Sequence, residues 1–403
     1  VKSFKTSLNL NKKQRTLMAK HAGVARHAYN WGLAICLEAK EKGEKRPSAN
    51  TLHKRLVAEV KSQYEWYYEV SKCAPQQALR DLDSAFKNFF TVKGRGFPRF
   101  KKKGRHDSFY LEGNIQIRGN QIRLPRIGWV KTYEKPLPPI LVKSNSNVTI
   151  SRQANKWLIS YKVDVEPEKI DHSKGVVGVD LGVRTLATLS NGVIFPAVHA
   201  YRSAKRKLAS LSRSVSRKVK GSNNHKKAIK RLAKAHYRVA CIRKDATHKL
   251  TSYLAKNHSE VVIEDLNVSG MLKNHRLAQA IADGGFYEFR RQLEYKCQWY
   301  GSFLTVVDRF FPSSKTCSDC GEIKKDLKLK ERMFICPSCS FFLDRDLNAA
   351  INLSKACPER SRRAGSSPVS ACGVSDKRNA MAKWTQRSRK KTSDYVQLSL
   401  GLS

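Results

Sequence analysis

The spacing of apolar positions changes period several times along the chain, and each change predicts a different kind of element. Residues 2–10 set Phe4, Leu8 and Leu10 among basic and polar neighbours, which predicts a short strand. From Asn11 to Phe90 the period becomes helical. Its clearest stretch runs from about Pro75, a residue suited to a first helical turn, to Phe90. Ala78, Leu79, Leu82, Ala85, Phe86 and Phe89 form one apolar stripe there, with Gln76, Gln77, Arg80, Lys87 and Asn88 on other faces. Gly94–Lys103, reading GRGFPRFKKK, then breaks regular structure. Phe97 and Phe100 lie between its cations, placed either to stack on bases or to pack in an inter-domain core.

Residues 114–165 switch to strands. Ile115, Ile117, a turn at Gly119-Asn120, then Ile122 and Leu124 predict one hairpin. Val148–Ser151 pairs with the alternating Trp157, Ile159, Tyr161, Val163 and Val165 in a second. With strand 2–10 returning to them, these predict a small antiparallel β-barrel carrying the helical block as an insertion. Further on, Gly175–Asp180 and Val261–Glu264 are short buried-strand runs, each ending in an acid, and Thr185–Ser190 reads as the hairpin partner of the first. Residues 202–249 predict a helical hairpin broken at Gly221-Ser222-Asn223-Asn224. Leu208, Leu211, Val215 and Val219 form one apolar edge; Ile229, Leu232, Val239 and Ile242 form the other. Beyond about Cys357 the periodicity is lost, and a mobile tail is expected.

Charge sharpens this picture. The chain has 403 residues with 78 Lys+Arg against 33 Asp+Glu, a formal net charge of +45. Such self-repulsion calls for a polyanion, and nucleic acid is the natural partner. The helical hairpin holds seventeen Lys/Arg and one acid, Asp245. Intrahelical ion pairs cannot neutralise that excess, so a surface tracking a phosphate backbone is expected. No apolar run approaches the roughly 18 residues needed to span a bilayer, and no signal-peptide pattern opens the chain. A soluble, cytoplasmic protein is expected, with no membrane partner.

Two side-chain sets carry chemistry. Cys317-x-x-Cys320 and Cys336-x-x-Cys339 have the spacing of a four-thiolate zinc site, which leaves no open position and is therefore structural. The acids at the ends of the two buried strands, with the pair Asp344 and Asp346 opening a helix, form the other set. Taken singly, each has a structural reading, as a helix cap or an ion pair. Together they suit magnesium and two-metal phosphodiester hydrolysis. Spacing leaves open whether Glu264 or Asp265, and whether Asp344 or Asp346, faces the site.

Six ordered blocks then resemble the TnpB family of transposon-encoded, RNA-guided nucleases, relatives of type V CRISPR effectors. They are GFPRFKKK in the 94–103 region, VGVDLGVRTLAT (177–188), VVIEDLNVSGM (261–271), GGFYEFRRQLEYKCQWYG (284–301), FFPSSKTCSDCG (310–321) and DRDLNAAINL (344–353). The resemblance implies a multidomain α+β architecture. A wedge β-barrel would cover 1–10 and 110–168, with a helical recognition domain inserted at 11–109. An RNase H-like (RuvC) core would cover 172–310 and 343–356, including the basic hairpin 201–256. A zinc ribbon at 311–342 would load the target strand; the resemblance ends near residue 355, and the aperiodic 357–403 is expected, on its own composition, to be a basic, disordered tail.

The same resemblance implies Asp180, Glu264 and Asp346 as the catalytic acids, holding two magnesium ions, and one structural zinc on Cys317, Cys320, Cys336 and Cys339. Partners would be a guide RNA from the transposon end and a double-stranded DNA target; no protein partner is required. Lys72 and Gln76 match a helix that reads a target-adjacent motif, whereas FYLEGN (109–114) departs from the polar segment expected in the matching loop. Arg95, Arg99, Lys101, Lys102, Arg206, Lys230 and Arg231 are candidates for backbone contacts. Two further readings stay open: a guide-directed repressor that does not cut, and a transposase joining DNA strands.

Overall fold

A computed structural model describes residues 2–134, 147–163, 174–328 and 330–356. The first strand, β1 (Lys2–Asn9), leads into the 30-residue α1 (Lys12–Glu41), whose start is fixed by reciprocal bonds between Asn11 and Gln14. After α2 (Ala49–Arg55), which runs on into a π-helical turn at Leu56–Val60, comes α3 (Cys73–Thr91). The expected stripe of α3 faces inward, with Ala78, Leu79, Leu82 and Phe86 buried. Its partner α1 approaches so closely that a Cβ at Gly32 would lie 2.7 Å from Leu79 Cδ2.

The two rings of the basic loop part company. Phe97 sits edge-on to Phe86 and Phe89, at 5.5 and 5.3 Å between centroids, and belongs to the core. Phe100 is exposed.

Six more strands follow: β2 (Ser108–Glu112), β3 (Gln116–Arg118), β4 (Gln121–Leu124), β5 (Gly128–Thr132), β6 (Asn147–Gln153) and β7 (Lys156–Val163). They join β1 in one antiparallel sheet of order β2-β6-β7-β1-β5-β4-β3. Both expected hairpins form, β3–β4 and β6–β7, and β1 bridges them. Among the described residues no pairing closes β2 onto β3. Val165 lies outside the described residues. Sheet and helices share one core, from Leu8 and Met18 through Leu82 to Ile159.

His21 stands where that core meets the helices. It is fully buried, stacked on Phe109 at 5.0 Å, with Nδ1 bonded to Leu17 O and Nε2 accepting from Ser71 N–H. Burial holds its pKa below 6.5, against the pull of the Leu17 carbonyl. The unfolded chain therefore takes up the proton first as pH falls, so His21 stabilises the fold above about pH 6.5 and less below it. The melting temperature is expected to drop between pH 7 and 5, more steeply in the native chain than in His21→Gln; parallel profiles would refute this.

The second half begins with β8 (Lys174–Asp180), β9 (Thr185–Leu189) and β10 (Ile194–Pro196). The hairpin of α4 (Ala200–Ser216) and α5 (Asn223–Asn257) leads to β11 (His258–Glu264), then α6 (Val268–Met271), α7 (Ala278–Gly284), α8 (Phe286–Tyr300) and β12 (Phe303–Val307). The five strands order as β10-β9-β8-β11-β12; β8, β11 and β12 run parallel, and β9 runs antiparallel to its neighbours. Finally β13 (Met333–Ile335) and β14 (Phe342–Asp344) form a two-stranded ribbon ahead of α9 (Arg345–Lys355).

The helical hairpin differs from the expected seam. Leu208 and Val239 are buried, but Val219, Ile229 and Ile242 are exposed. Val219 lies past the end of α4, and the seam uses small residues instead, with Ala200, Ala204 and Ala235 beside Leu232. Asp283 anchors this hairpin to the core: its carboxylate accepts from Tyr201 and Arg202 N–H at the start of α4 and pairs with Arg243 at 2.7 Å. Among the described residues no helix is long and apolar enough to cross a membrane.

Candidate active site and cysteine cluster

Pleating sorts the acids. Alternate residues of a strand face opposite sides of the sheet. Val177, Val179, Val261 and Ile263 pack into the core that includes Leu250 and Leu254 of α5 and Phe289 and Leu293 of α8. Gly178 faces the other way, onto α9, where a Cβ would lie 2.0 Å from Ala350 O. Asp180 and Glu264, each one residue beyond an α5/α8-facing position, therefore emerge on the α9 side. The parallel register pairs Ile263 with Val179 and Glu264 with Val307, so the three strands end level. The carboxyl edge of parallel strands is where open α/β sheets bind ligands.

Asp265 falls on the opposite face and is taken up by two arginines. Arg290 of α8 donates to Oδ1 at 2.5 Å and Arg309 to Oδ2 at 2.6 Å. Asp344 is likewise committed, capping α9 through bonds from Asp346 and Leu347 N–H at 2.9 and 3.1 Å. That leaves Asp346 in the first turn, with Arg345 at 3.7 Å from its carboxylate.

Asp180 is the acid that feels both of the others. Burial, then the Asp346 and Glu264 carboxylates, push the Asp180 pKa up to about 7, and Arg345 opposes them. Burial and Asp265 raise that of Glu264. Half-buried carboxylates set around Asp180 favour a proton or a cation there, and three hard oxygen donors fit a magnesium-like ion. Their oxygens stand further apart than the thiolates: among the described residues, only the four cysteines bring three or more such ligand atoms within 4.8 Å of one another.

Cys317, Cys320, Cys336 and Cys339 pass a tighter test. The sulfurs of Cys317 and Cys339 lie 3.7 Å apart, those of Cys320 and Cys336 3.5 Å. A tetrahedron with Zn–S bonds of about 2.3 Å requires about 3.8 Å between sulfurs. The donor set and its spacing fit a soft tetrahedral cation.

Two buried asparagines, which the sequence reading missed, join this knuckle to the acids. Asn348 accepts from Ser318 N–H at 3.0 Å and donates to Thr316 O at 2.8 Å; Asn352 donates to Ser313 O and Thr316 O. Both lie on α9 beside Asp346. Their signal was present as polar residues one turn apart on the face that carries Ala349 and Leu353, both buried.

The remaining candidates scatter. Lys72 is exposed just before α3, and Gln76 lies one turn on, half-buried. Arg95, Arg99 and Lys102 are exposed in the basic loop, as are Arg206, Lys230 and Arg231 on the hairpin. Lys101 points inward instead, its Nζ 4.0 Å from the Tyr29 ring centroid and its backbone bonded to Asn30. Packing there withdraws it from a surface role.

Comparison with known proteins adds three family matches. Residues 159–275 match a model described as "Probable transposase" (OrfB_IS605), and residues 286–353 match "Cas12f1-like, TNB domain". Residues 1–45 match one described as "Helix-turn-helix domain", although here they hold one strand and a single long helix. A solved structure titled "Structure of the mini-RNA-guided endonuclease CRISPR-Cas_phi3" shares 10% identity at a TM-score of 0.49, covering 88% of this chain and 92% of that one. The chain is 36% identical to a Streptomyces pristinaespiralis protein named "Putative RNA-guided DNA endonuclease", covering 88% of this chain and 89% of that one. It is 35% identical to the Escherichia coli (strain K12) "Putative RNA-guided DNA endonuclease InsQ", over 88% of this chain and 92% of that protein. By that similarity along nearly its whole length, the chain belongs to the TnpB family.

Proposed function

We propose that this protein is a transposon-associated, RNA-guided DNA endonuclease whose single active site is formed by Asp180, Glu264 and Asp346. The observation that carries the reading is the placement of these acids at the level ends of β8 and β11 and the first turn of α9, close enough for Asp346 and Glu264 to raise the Asp180 pKa. Sheet order and mixed strand direction support an RNase H-like (RuvC) core. The seven-stranded sheet and α1–α3 correspond to the wedge and recognition parts, with Lys72 and Gln76 toward a target-adjacent motif. Guide RNA and duplex DNA would neutralise the +45 charge.

Asp180, Glu264 and Asp346 would hold two magnesium ions. Bound there, magnesium supplies water activation and stabilisation of the leaving oxygen. The protein's own part is positional. The strands and α9 fix the acids, Arg345 tempers their repulsion, and Asp265 and Asp344 are withdrawn into an ion-pair cluster and a helix cap.

The decisive experiment purifies the full chain expressed with its transposon end, sequences any co-eluting RNA, and offers a duplex matching that RNA. Cleavage in magnesium and none in EDTA is expected. A discrete RNA without cleavage would favour a guide-directed repressor, and no RNA would favour a transposase.

One zinc per chain on the four cysteines would be structural. Cys336→Ser is expected to lower bound zinc from about one per chain to near none, measured by elemental analysis. Faster amide exchange should follow across 313–356, because Asn348 and Asn352 bond to the backbone beside Cys317. Unchanged zinc content would remove the assignment.

A further inference from the structure

Beside the acids, the same sheet edge carries a second group of side chains that those roles do not use. β12 ends at Val307, paired with Glu264, and Asp308-Arg309-Phe310 leave the sheet there. Asp308 makes this exit a tight turn: its side chain accepts from Phe310 N–H at 2.8 Å and its carbonyl from Phe311 N–H at 3.0 Å. Asp265 holds the guanidinium groups of both Arg290 and Arg309, whose side chains remain 41% and 44% exposed. Glu294 also pairs with Arg290, at 3.3 Å, so the charges of this cluster balance, and Arg309 gives only one of its nitrogens to Asp265. Each guanidinium has five N–H donors, so donors remain for a phosphate.

Phe310, next in the chain, is 85% exposed, more than any other large apolar side chain among the described residues. An apolar ring left in water on a backbone fixed by two hydrogen bonds suits stacking on a base face, which needs no particular sequence. The chain's net charge of +45 favours a polyanion over an apolar protein surface, and an arginine beside an aromatic matches the alternation of phosphate and base along one strand.

We propose that Arg309 and Phe310 grip a single DNA strand next to the cleavage site. The Arg309 guanidinium takes a backbone phosphate and the Phe310 ring stacks on the neighbouring base, while Asp265 and Arg290 hold Arg309 in position. The proposal rests on the nuclease reading for what the grip is for, but not for whether it binds.

The test uses the full chain, guide-loaded and guide-free, with 2-aminopurine placed at successive positions of a DNA strand. In the guide-free chain, a single-stranded oligonucleotide should show fluorescence quenching that Phe310→Ala and Phe310→Leu lose and Phe310→Trp keeps. In the loaded complex, Arg309→Ala and Phe310→Ala should each slow single-turnover cleavage at least tenfold. Target binding should stay within twofold, and Phe310→Trp should recover most of the rate. Native quenching and cleavage in Phe310→Leu would overturn the grip, as would its retention in Arg309→Ala. Phe310-dependent quenching in a protein that never cleaves would keep the grip and sink the nuclease reading; cleavage without such quenching would do the reverse.

Discussion

Replacing Asp180 by asparagine should lower guide-directed cleavage by about a thousandfold or more, a barrier increase of about 4 kcal/mol, while leaving target binding within about twofold. The substitution keeps the shape of the side chain and removes only its charge. In the metal-free protein that charge is unfavourable, since burial and the neighbouring Asp346 and Glu264 carboxylates oppose it. The asparagine variant should therefore melt higher than the native chain when no divalent ion is present. Magnesium should reverse the order, because a ligand that binds only the folded state raises its stability, and the variant has lost one of the three carboxylates. Cleavage assays, filter binding and melting curves with and without magnesium check the three parts. A variant that loses activity and binding together, or that melts lower without metal, would mean that Asp180 serves the fold rather than the reaction.

That pair of effects also separates what the sequence could tell from what it could not. The apolar runs ahead of Asp180 and Glu264 show that both acids end buried strands, but Val261-Val262-Ile263 is apolar at every position. A strand buried on both faces has no period-2 pattern, so its sequence cannot say which way Glu264 and Asp265 point. Tertiary packing decides, through α8 and its Arg290 on one face and α9 on the other. Asp344 and Asp346 are a similar case. Either could cap a helix by type, and the choice rests on which backbone amides each reaches. The cysteine cluster was legible in full because its four ligands lie in two short knuckles, where chain geometry nearly fixes the distances. The basic hairpin was legible in outline only. Val219 falls past the end of α4, and Ile229 and Ile242 lie off the seam of small residues, so all three remain in water. The expected tail, 357–403, lies outside the described residues.

Gly178→Ala should cost cleavage about a hundredfold without touching any charged group. The glycine sits two residues before Asp180 on the face of β8 that meets α9. An added Cβ would lie 2.0 Å from Ala350 O and 2.5 Å from Ser354 N. Both are backbone atoms of a helix, so no rotamer change relieves the clash; α9 must move off the strand by an ångström or more. Asp346 rides on the first turn of that helix, and a displacement of about 1 Å at a reacting centre can cost about 10²-fold in rate. Overpacking of this kind also destabilises by about 1–3 kcal/mol, which a melting curve would register. The control lies on the same strand: a Cβ at Gly175 meets nothing within 4 Å, so Gly175→Ala should melt and cleave like the native chain. Equal loss in both variants would point to a general strand effect. Full activity in Gly178→Ala would mean that the contact of β8 with α9 is not what brings Asp346 to Asp180, and the site would need another means of assembly.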